Sequence, residues 1–177
     1  MVPSRIVVSA ACAAVLGALS VPGLAAAQPP PPPPPPPAPD VNAYAPANPK
    51  DFAIYDGAAY AFTTGGLLCT LQRSGGYGCN GVLPGAPRGA NVVGGFAGGV
   101  PGFSASSAPI YGGPANALPP NTRLSFGTVS CGGDGTVTAC VDGSNQSGFV
   151  VTPSASWIVN VVNPLLARPE GTNPFMN

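Results

Sequence analysis

Residues 124–141 have the sequence LSFGTVSCGGDGTVTACV. Two segments of strand-forming residues flank the turn sequence at residues 132–135, and Cys131 and Cys140 stand on either side of that turn with eight residues between them. An Asp-Gly pair between alternating apolar residues is a strong signal for a β-hairpin. The stretch therefore predicts two antiparallel strands that a disulfide can close.

A second cysteine pair repeats this arrangement earlier in the chain. Residues 67–71 lead through the turn sequence at residues 74–76 to Tyr77 and Cys79. Four cysteines remain, Cys69, Cys79, Cys131 and Cys140. They allow three disulfide connectivities, and the sequence alone does not formally choose among these. Because each close pair flanks a turn, the spacing favours Cys69 with Cys79 and Cys131 with Cys140.

Further strand signals follow at short separations, which favours an all-β fold, a small disulfide-stapled antiparallel sandwich or barrel. Residues 60–63 and 67–71 form a hairpin around Gly65-Gly66, and alternating apolar residues at 157–161 predict the last strand. Apolar residues occupy even-numbered positions before Gly127 and odd-numbered positions after it. This change predicts a β-bulge near Gly127. Trp157 alternates with valines, so we expect it in the core rather than on a sugar-binding surface.

A segment rich in Gly, Pro and Ser, residues 84–120, separates the two cysteine pairs. A connection of this length is unusual in a compact domain. It either folds over the sheet, pinned by its aromatic residues, or is mobile. We expect Phe96, Phe103 and Tyr111 to form a partner-binding loop.

The first 27 residues have the features of a cleavable signal peptide. Arg5 precedes an apolar segment at residues 6–19, and small residues at 25–27 suit a signal peptidase. Cleavage there removes Cys12 and leaves an even number of cysteines, as expected for disulfides formed in an oxidising compartment. We therefore expect a secreted, extracellular or cell-wall protein with no transmembrane segment after cleavage.

Proline dominates the next segment, in which residues 29–37 are an unbroken run of nine. Such a run adopts an extended polyproline II rod. The sequence predicts a disordered linker over residues 28–49, a stapled domain over 50–163 and a C-terminal tail over 164–177. The rod is either a spacer or a ligand for a proline-recognising groove.

The two close cysteine pairs follow a characteristic order of segments. The first pair comes after Phe62-Thr63-Thr64, and the Cys131 to Cys140 hairpin precedes Gly148-Phe149 and an aromatic strand at 157–159. In this order the chain resembles a family of small exported actinobacterial proteins of unknown function, common in mycobacteria. The resemblance covers roughly residues 58–162 and implies secretion and this fold, and it brings no catalytic residues.

Catalytic and cofactor motifs are missing from the sequence. There is no histidine, so a Ser-His-Asp or Cys-His arrangement cannot form, and no phosphate-binding or dinucleotide fingerprint occurs. The cysteine spacings are wide for a zinc site. Asp134 and Asp142 each precede a glycine, which tight turns favour over catalysis. We expect no cofactor, no metal and no enzymatic activity.

The charge composition argues against nucleic acid as a partner. Six Lys and Arg residues balance six Asp and Glu residues, and charged residues make up 7% of the chain. Scattered cations form no patch that displaces counterions from nucleic acid. The sequence therefore favours a monomeric, non-catalytic module that binds an unidentified envelope or extracellular protein. The alternatives are a secreted inhibitor of an extracellular hydrolase and, after it, a carboxylate-dependent hydrolase.

Overall fold

The computed structural model describes residues 36–160. The predicted signal peptide and C-terminal tail and most of the nine-proline run lie outside these residues. Short 3-10 turns occur at Val41–Ala43, Pro49–Phe52 and Pro87–Gly89. The strands are β1 (Ala45–Pro46), β2 (Ala53–Ile54), β3 (Ala59–Thr64), β4 (Leu67–Gln72), β5 (Gly76–Asn80), β6 (Val92–Phe96), β7 (Gly102–Ser104), β8 (Asn116–Ala117), β9 (Thr122–Phe126), β10 (Val129–Gly133), β11 (Thr138–Asp142), β12 (Ser147–Val151) and β13 (Ser156–Asn160).

These strands form two sheets, which confirms the predicted all-β fold. The first sheet has the order β2-β3-β4-β5-β6-β7, with β8 paired to β3, and the second has the order β1-β9-β10-β11-β12-β13. Most neighbours are antiparallel and joined by short turns. The two exceptions are β1 with β9 and β8 with β3, which are parallel pairs of two residues each.

The main core lies where the inner faces of the two sheets meet. Phe62 and Phe149 are fully buried, one from each sheet, and the ring of Tyr77 stacks on Phe149 with centroids 6.1 Å apart. Burying side chains of this size contributes roughly 2–3 kcal/mol each. The two sheets therefore form a sandwich around one apolar layer.

Both disulfides have the predicted pairing. Cys69 bonds to Cys79 between β4 and β5, and Cys131 bonds to Cys140 between β10 and β11. In both sheets the two cysteines stand directly opposite each other on adjacent strands. The preceding strand also places an apolar residue opposite the first cysteine of each sheet, Phe62 opposite Cys69 and Leu124 opposite Cys131.

Gly127 lies in a hairpin turn, so the predicted bulge is wrong. Phe126 pairs directly with Val129, and Gly127, with φ at +60°, occupies the two-residue turn between them. Opposite residues of an antiparallel pair face the same side of the sheet. The change of parity from Phe126 to Val129 therefore marks the end of one strand and the start of the next.

The Gly- and Pro-rich segment at residues 84–120 adds strands to the first sheet. Strand β6 pairs with β5 over five residues, and β7 pairs with β6 over three. Leu118, near the end of the segment, is buried in the core. Of the two predicted alternatives, the structure shows the segment folded onto the sheet, but as paired strands rather than as a loop.

The folded part of the chain begins upstream of the predicted boundary at residue 50. Val41 is 1% exposed and packs on Ala139 and Val150, on the outer face of the second sheet. The side chain of Arg123 donates a hydrogen bond to the Tyr44 carbonyl (2.9 Å). The predicted linker over residues 28–49 therefore differs from the structure from about residue 38 onward, because its apolar side chains cover the sheet.

Candidate functional site

The structure separates the three aromatic residues of the predicted partner-binding loop. Phe103 faces inward and packs against the core. Phe96 and Tyr111 instead border cavities on the outer face of the first sheet, and Phe96 is 67% exposed. The predicted site is therefore split, and two of its three rings lie on one surface.

A groove of about 560 Å³ lies at one end of that outer face. We call it the tyrosine groove. It lies between the turn after β2 and the ends of β3 and β4, and the chain around residue 110 closes its other side. Its lining is mainly apolar and includes Ile54, Tyr55, Ala59, Gln72, Ile110 and Tyr111.

Tyr55 occupies a backbone conformation that tyrosine rarely adopts. It has φ at +50°, and the next residue, Asp56, has φ at +53°. The amide of Gly57 donates to the Ile54 carbonyl (3.1 Å), which closes the tight turn between β2 and β3. A left-handed conformation costs roughly 1–2 kcal/mol for a residue with a Cβ. Strained backbone of this kind recurs at functional sites, and here it carries an exposed aromatic ring.

The strained turn holds the Tyr55 ring out of the sheet. The ring is 70% exposed and meets Tyr111 edge to face, with centroids 6.0 Å apart and planes at 90°. Arg73 supports the turn, because its guanidinium donates to the Gly57 carbonyl (3.4 Å). Two tyrosines from distant parts of the chain thus form one edge of the groove.

A row of small residues continues the groove across the sheet. Thr70 stands opposite Gly78, Gly78 opposite Gly94, and Gly94 opposite Gly102, so the row crosses four strands. At the usual strand spacing it is about 14 Å long. Thr70 also lines both the tyrosine groove and a neighbouring cavity of about 400 Å³ above Gly78 and Gly94. We call this feature the glycine row.

Close packing between strands explains part of the glycine row. A Cβ added to Gly78 would lie 2.7 Å from the Val93 carbonyl oxygen. A side chain there would push β5 away from β6. A Cβ on Gly102 would meet nothing within 4 Å, so glycine at that position leaves open surface instead.

Asp142, one of the two carboxylates considered for catalysis, is fully buried. It accepts hydrogen bonds from the Gly98 amide and from both the amide (2.9 Å) and hydroxyl (2.8 Å) of Ser144. Burial raises the pKa of Asp142, but these hydrogen bonds and one from Thr128 together lower it below the ordinary aspartate value. Asp142 is therefore an ionised structural residue that a substrate cannot reach.

Asp134, the other carboxylate, is exposed in the turn between β10 and β11. Its carboxylate accepts the amide hydrogens of Val137 (2.7 Å) and Thr136 (2.8 Å). These bonds lower the pKa of Asp134. Both predicted turn aspartates therefore hold turns.

Two further kinds of site, a metal-ion site and a membrane-spanning helix, do not occur within residues 36–160. Within residues 36–160 no three His, Cys, Asp or Glu side chains are grouped to hold a metal ion. In the same part of the chain no helix has the length and apolar character that a membrane crossing requires.

Comparisons with protein-family models, curated proteins and solved structures found no match to this chain. The resemblance to exported actinobacterial proteins therefore stays a prediction.

Sequence reasoning missed Tyr55 and the glycine row. A signal for the row exists, because Gly76 and Gly78 alternate along β5, and alternate residues of a strand share a face. The sequence contains no such signal for Tyr55. Tyr-Asp-Gly is an ordinary turn sequence, and only the structure shows that its first residue has a left-handed φ.

Proposed function

We propose that this protein is an exported, non-catalytic binding module whose ligand lies in the tyrosine groove and along the glycine row. The observation that carries the proposal is the exposed Tyr55 ring, held in a strained turn against Tyr111 beside an open cavity. Export is supported by the predicted signal peptide and by two disulfides, which form in oxidising compartments.

The groove's chemistry limits its ligand. Arg73 is the only charged residue among those lining the groove, and Gln72, Ser74 and Thr70 add uncharged polar groups. Tyrosine rings offer an apolar face and one hydroxyl, which suits surfaces that are part apolar and part wet. The ligand is therefore a largely uncharged segment of an envelope or extracellular partner, extended enough to follow the glycine row.

Site-specific photo-crosslinking tests this proposal. A photoreactive phenylalanine analogue replaces Tyr55 in one variant and Val82, which is 81% exposed and lines neither cavity, in the matched control. Each variant is exported from the native host and irradiated on intact cells. We expect a crosslinked product at position 55 and none at position 82. Equal products at both positions, or none at either, would rule out the groove as the binding site.

A secreted inhibitor is the second candidate, and a different observation favours it. The turn between β6 and β7 exposes Phe96 (67%) and Val100 (53%), and hydrogen bonds from the β11–β12 turn brace it. Ser147 donates to the Gly99 carbonyl at 2.7 Å. A rigid loop with exposed apolar side chains loses little entropy when it enters an enzyme cleft.

The inhibitor hypothesis is tested separately. The exported protein is assayed against secreted proteases and glycosidases, with Val100→Asp as the loop variant and Val82→Asp as the control. Inhibition that Val100→Asp alone removes would support this function. No inhibition across the panel would discard it without affecting the crosslinking result at Tyr55.

A further inference from the structure

A second cleft, of about 420 Å³, lies on the outer face of the second sheet. It is far from the tyrosine groove in the fold, because the whole sandwich separates the two outer faces. We call it the proline cleft. Its lining includes Pro36, Pro37, Pro39, Tyr44, Val137 and Trp157.

The chain's own prolines form one wall of this cleft. Pro39 is half-buried, and two residues later Val41 is buried against the sheet. The backbone then continues along β9, where the Ala45 amide donates to the Asn121 carbonyl (3.1 Å). Pro39 is therefore held in place by the segment that follows it, whereas Pro36 and Pro37 line the cleft and are exposed.

Two aromatic rings line the same space. Tyr44 and Trp157 are each half-buried and pack around Val41, Ala139 and Val150. The predicted core position of Trp157 is therefore wrong, because its strand turns this ring to the outer face of the second sheet, away from the apolar layer between the sheets. Burial raises the pKa of Tyr44, and the carboxylate of Asp134 adds to that effect. One side of each ring contacts the sheet, and part of each remains open to the cleft.

This combination matches the chemistry of polyproline recognition. A polyproline II segment has no internal hydrogen bonds, so its carbonyl groups accept hydrogen bonds from a binding partner. Its pyrrolidine rings pack on flat aromatic surfaces. Tyr44 and Trp157 supply both, since each carries a ring and one donor. The proline rod was predicted to be a spacer or a ligand. In the structure its last residues lie at a surface with the composition of a proline-binding groove.

We propose that the proline cleft binds a proline-rich segment of another polypeptide in the polyproline II conformation. Asp134 is the one charged side chain among the residues that line it, so the cleft suits a ligand without acidic groups. Ala38 and Pro39 of each copy pack on their own domain, so we assign the occupant to a different polypeptide, and a second copy is the alternative that the experiment below tests. The proposal is independent of the tyrosine groove.

Trp157 makes the test direct, because it is the only tryptophan in the chain. The exported protein is titrated with a synthetic ten-residue polyproline peptide while the tryptophan emission is recorded. A Gly-Ser peptide of the same length is the control ligand. We expect a saturable change in emission with polyproline and none with Gly-Ser. No saturable change up to peptide concentrations of about 1 mM, the limit of weak specific binding, would overturn the proposal.

Two variants locate the binding. Tyr44→Phe removes one donor and keeps the ring, so we expect affinity for polyproline to fall about fivefold, as loss of one hydrogen bond predicts. Val82→Ala should leave the affinity unchanged, because Val82 is 81% exposed and does not line the cleft. An equal loss in both variants would overturn the assignment to the cleft. Concentration-dependent self-association that the polyproline peptide disrupts would also overturn it, because the occupant would then be a second copy.

Discussion

The buried carboxylate of Asp142 accepts a hydrogen bond from the backbone amide of Gly98, 44 residues earlier in the chain. Asp142 ends β11 in the second sheet, and Gly98 lies in the turn between β6 and β7 of the first sheet. Ser147 and Asn145 add two bonds to the neighbouring Gly99 carbonyl, at 2.7 and 3.2 Å. A polar clasp of turn residues thus joins the two sheets at the edge of their apolar core.

Replacing Asp142 should therefore destabilise the whole sandwich. In Asp142→Asn the amide has one acceptor oxygen in place of two, so at least one buried donor loses its partner. We expect the free energy of unfolding to fall by about 1–3 kcal/mol, measured by urea denaturation. Asp134→Asn is the matched control, because Asp134 also accepts two amides but is exposed in its own turn. A control variant as unstable as Asp142→Asn would show that the clasp has no special role.

The effect of Asp142 should depend on pH. Its folded-state pKa lies below the value of about 3.9 expected in the unfolded chain. The carboxylate therefore stabilises the fold above pH 4, and this contribution is lost as the pH falls through the folded-state pKa. We expect the stability difference between wild type and Asp142→Asn to shrink as the pH falls from about 5 through the folded-state pKa of Asp142. A stability difference that did not change with pH would mean that the clasp does not depend on the ionised form of Asp142.

Each disulfide should contribute separately to stability. The bonds join residues 10 and 9 positions apart, one in each sheet. Chain entropy predicts about 2.7 kcal/mol for a loop of this size. We expect Cys69→Ala with Cys79→Ala, and Cys131→Ala with Cys140→Ala, each to lower the unfolding free energy by at least this amount. Peptide mapping of the exported wild type under non-reducing conditions verifies the pairing. Mixed pairings there would contradict the structure.

These local features are the ones that sequence predicts well. The cysteine pairings and the hairpins depend on turn residues within about ten positions of each other, where turn chemistry dominates. The false bulge at Gly127 shows the limit of this approach. A change of apolar parity has two causes, a bulge within one strand or a turn between two, and Gly127-Thr128 lacks the usual Asn-Gly signature.

The glycine row makes a prediction about matched substitutions. Gly78→Ala places a Cβ against the Val93 carbonyl, whereas Gly102→Ala places one in open space in the same row. We expect Gly78→Ala to lower the melting temperature and to cost more than about 1 kcal/mol, in the range of overpacked sites. Gly102→Ala should be neutral or slightly stabilising, since alanine restricts the unfolded chain. Equal effects would mean that close strand approach does not explain glycine at position 78.

Long-range features of the site could not be predicted from the sequence. Tyr55 and Tyr111 lie 56 positions apart, and the outer-face role of residues 92–104 depends on which strand they pair with. The covering of the second sheet by Val41 was equally hidden, because the proline-rich composition around it predicts a linker. Such contacts depend on tertiary packing, which overrides local propensity.

The last prediction concerns the strain at Tyr55. Two effects of similar size oppose each other there. The left-handed conformation costs roughly 1–2 kcal/mol, and an edge-to-face aromatic pair contributes roughly 0.5–1.5 kcal/mol. Asparagine tolerates the left-handed conformation but has no ring. We therefore expect Tyr55→Asn to change the stability of the wild type very little, and to stabilise the Tyr111→Ala variant by about 1 kcal/mol, because that variant has already lost the aromatic pair.

A double-mutant cycle over Tyr55 and Tyr111, measured by urea denaturation, gives the coupling directly. The expected coupling is about 0.5–1.5 kcal/mol. Tyr55→Asn should also abolish the crosslink that a photoreactive phenylalanine analogue at Ile110, which lines the tyrosine groove, forms with the ligand. If the strain at Tyr55 is retained for binding, Tyr55→Asn should leave the fold equally stable or more stable and should lose the ligand. If Tyr55→Asn strongly destabilised the protein in both backgrounds, Tyr55 would be a structural residue, and its exposed ring would need another explanation.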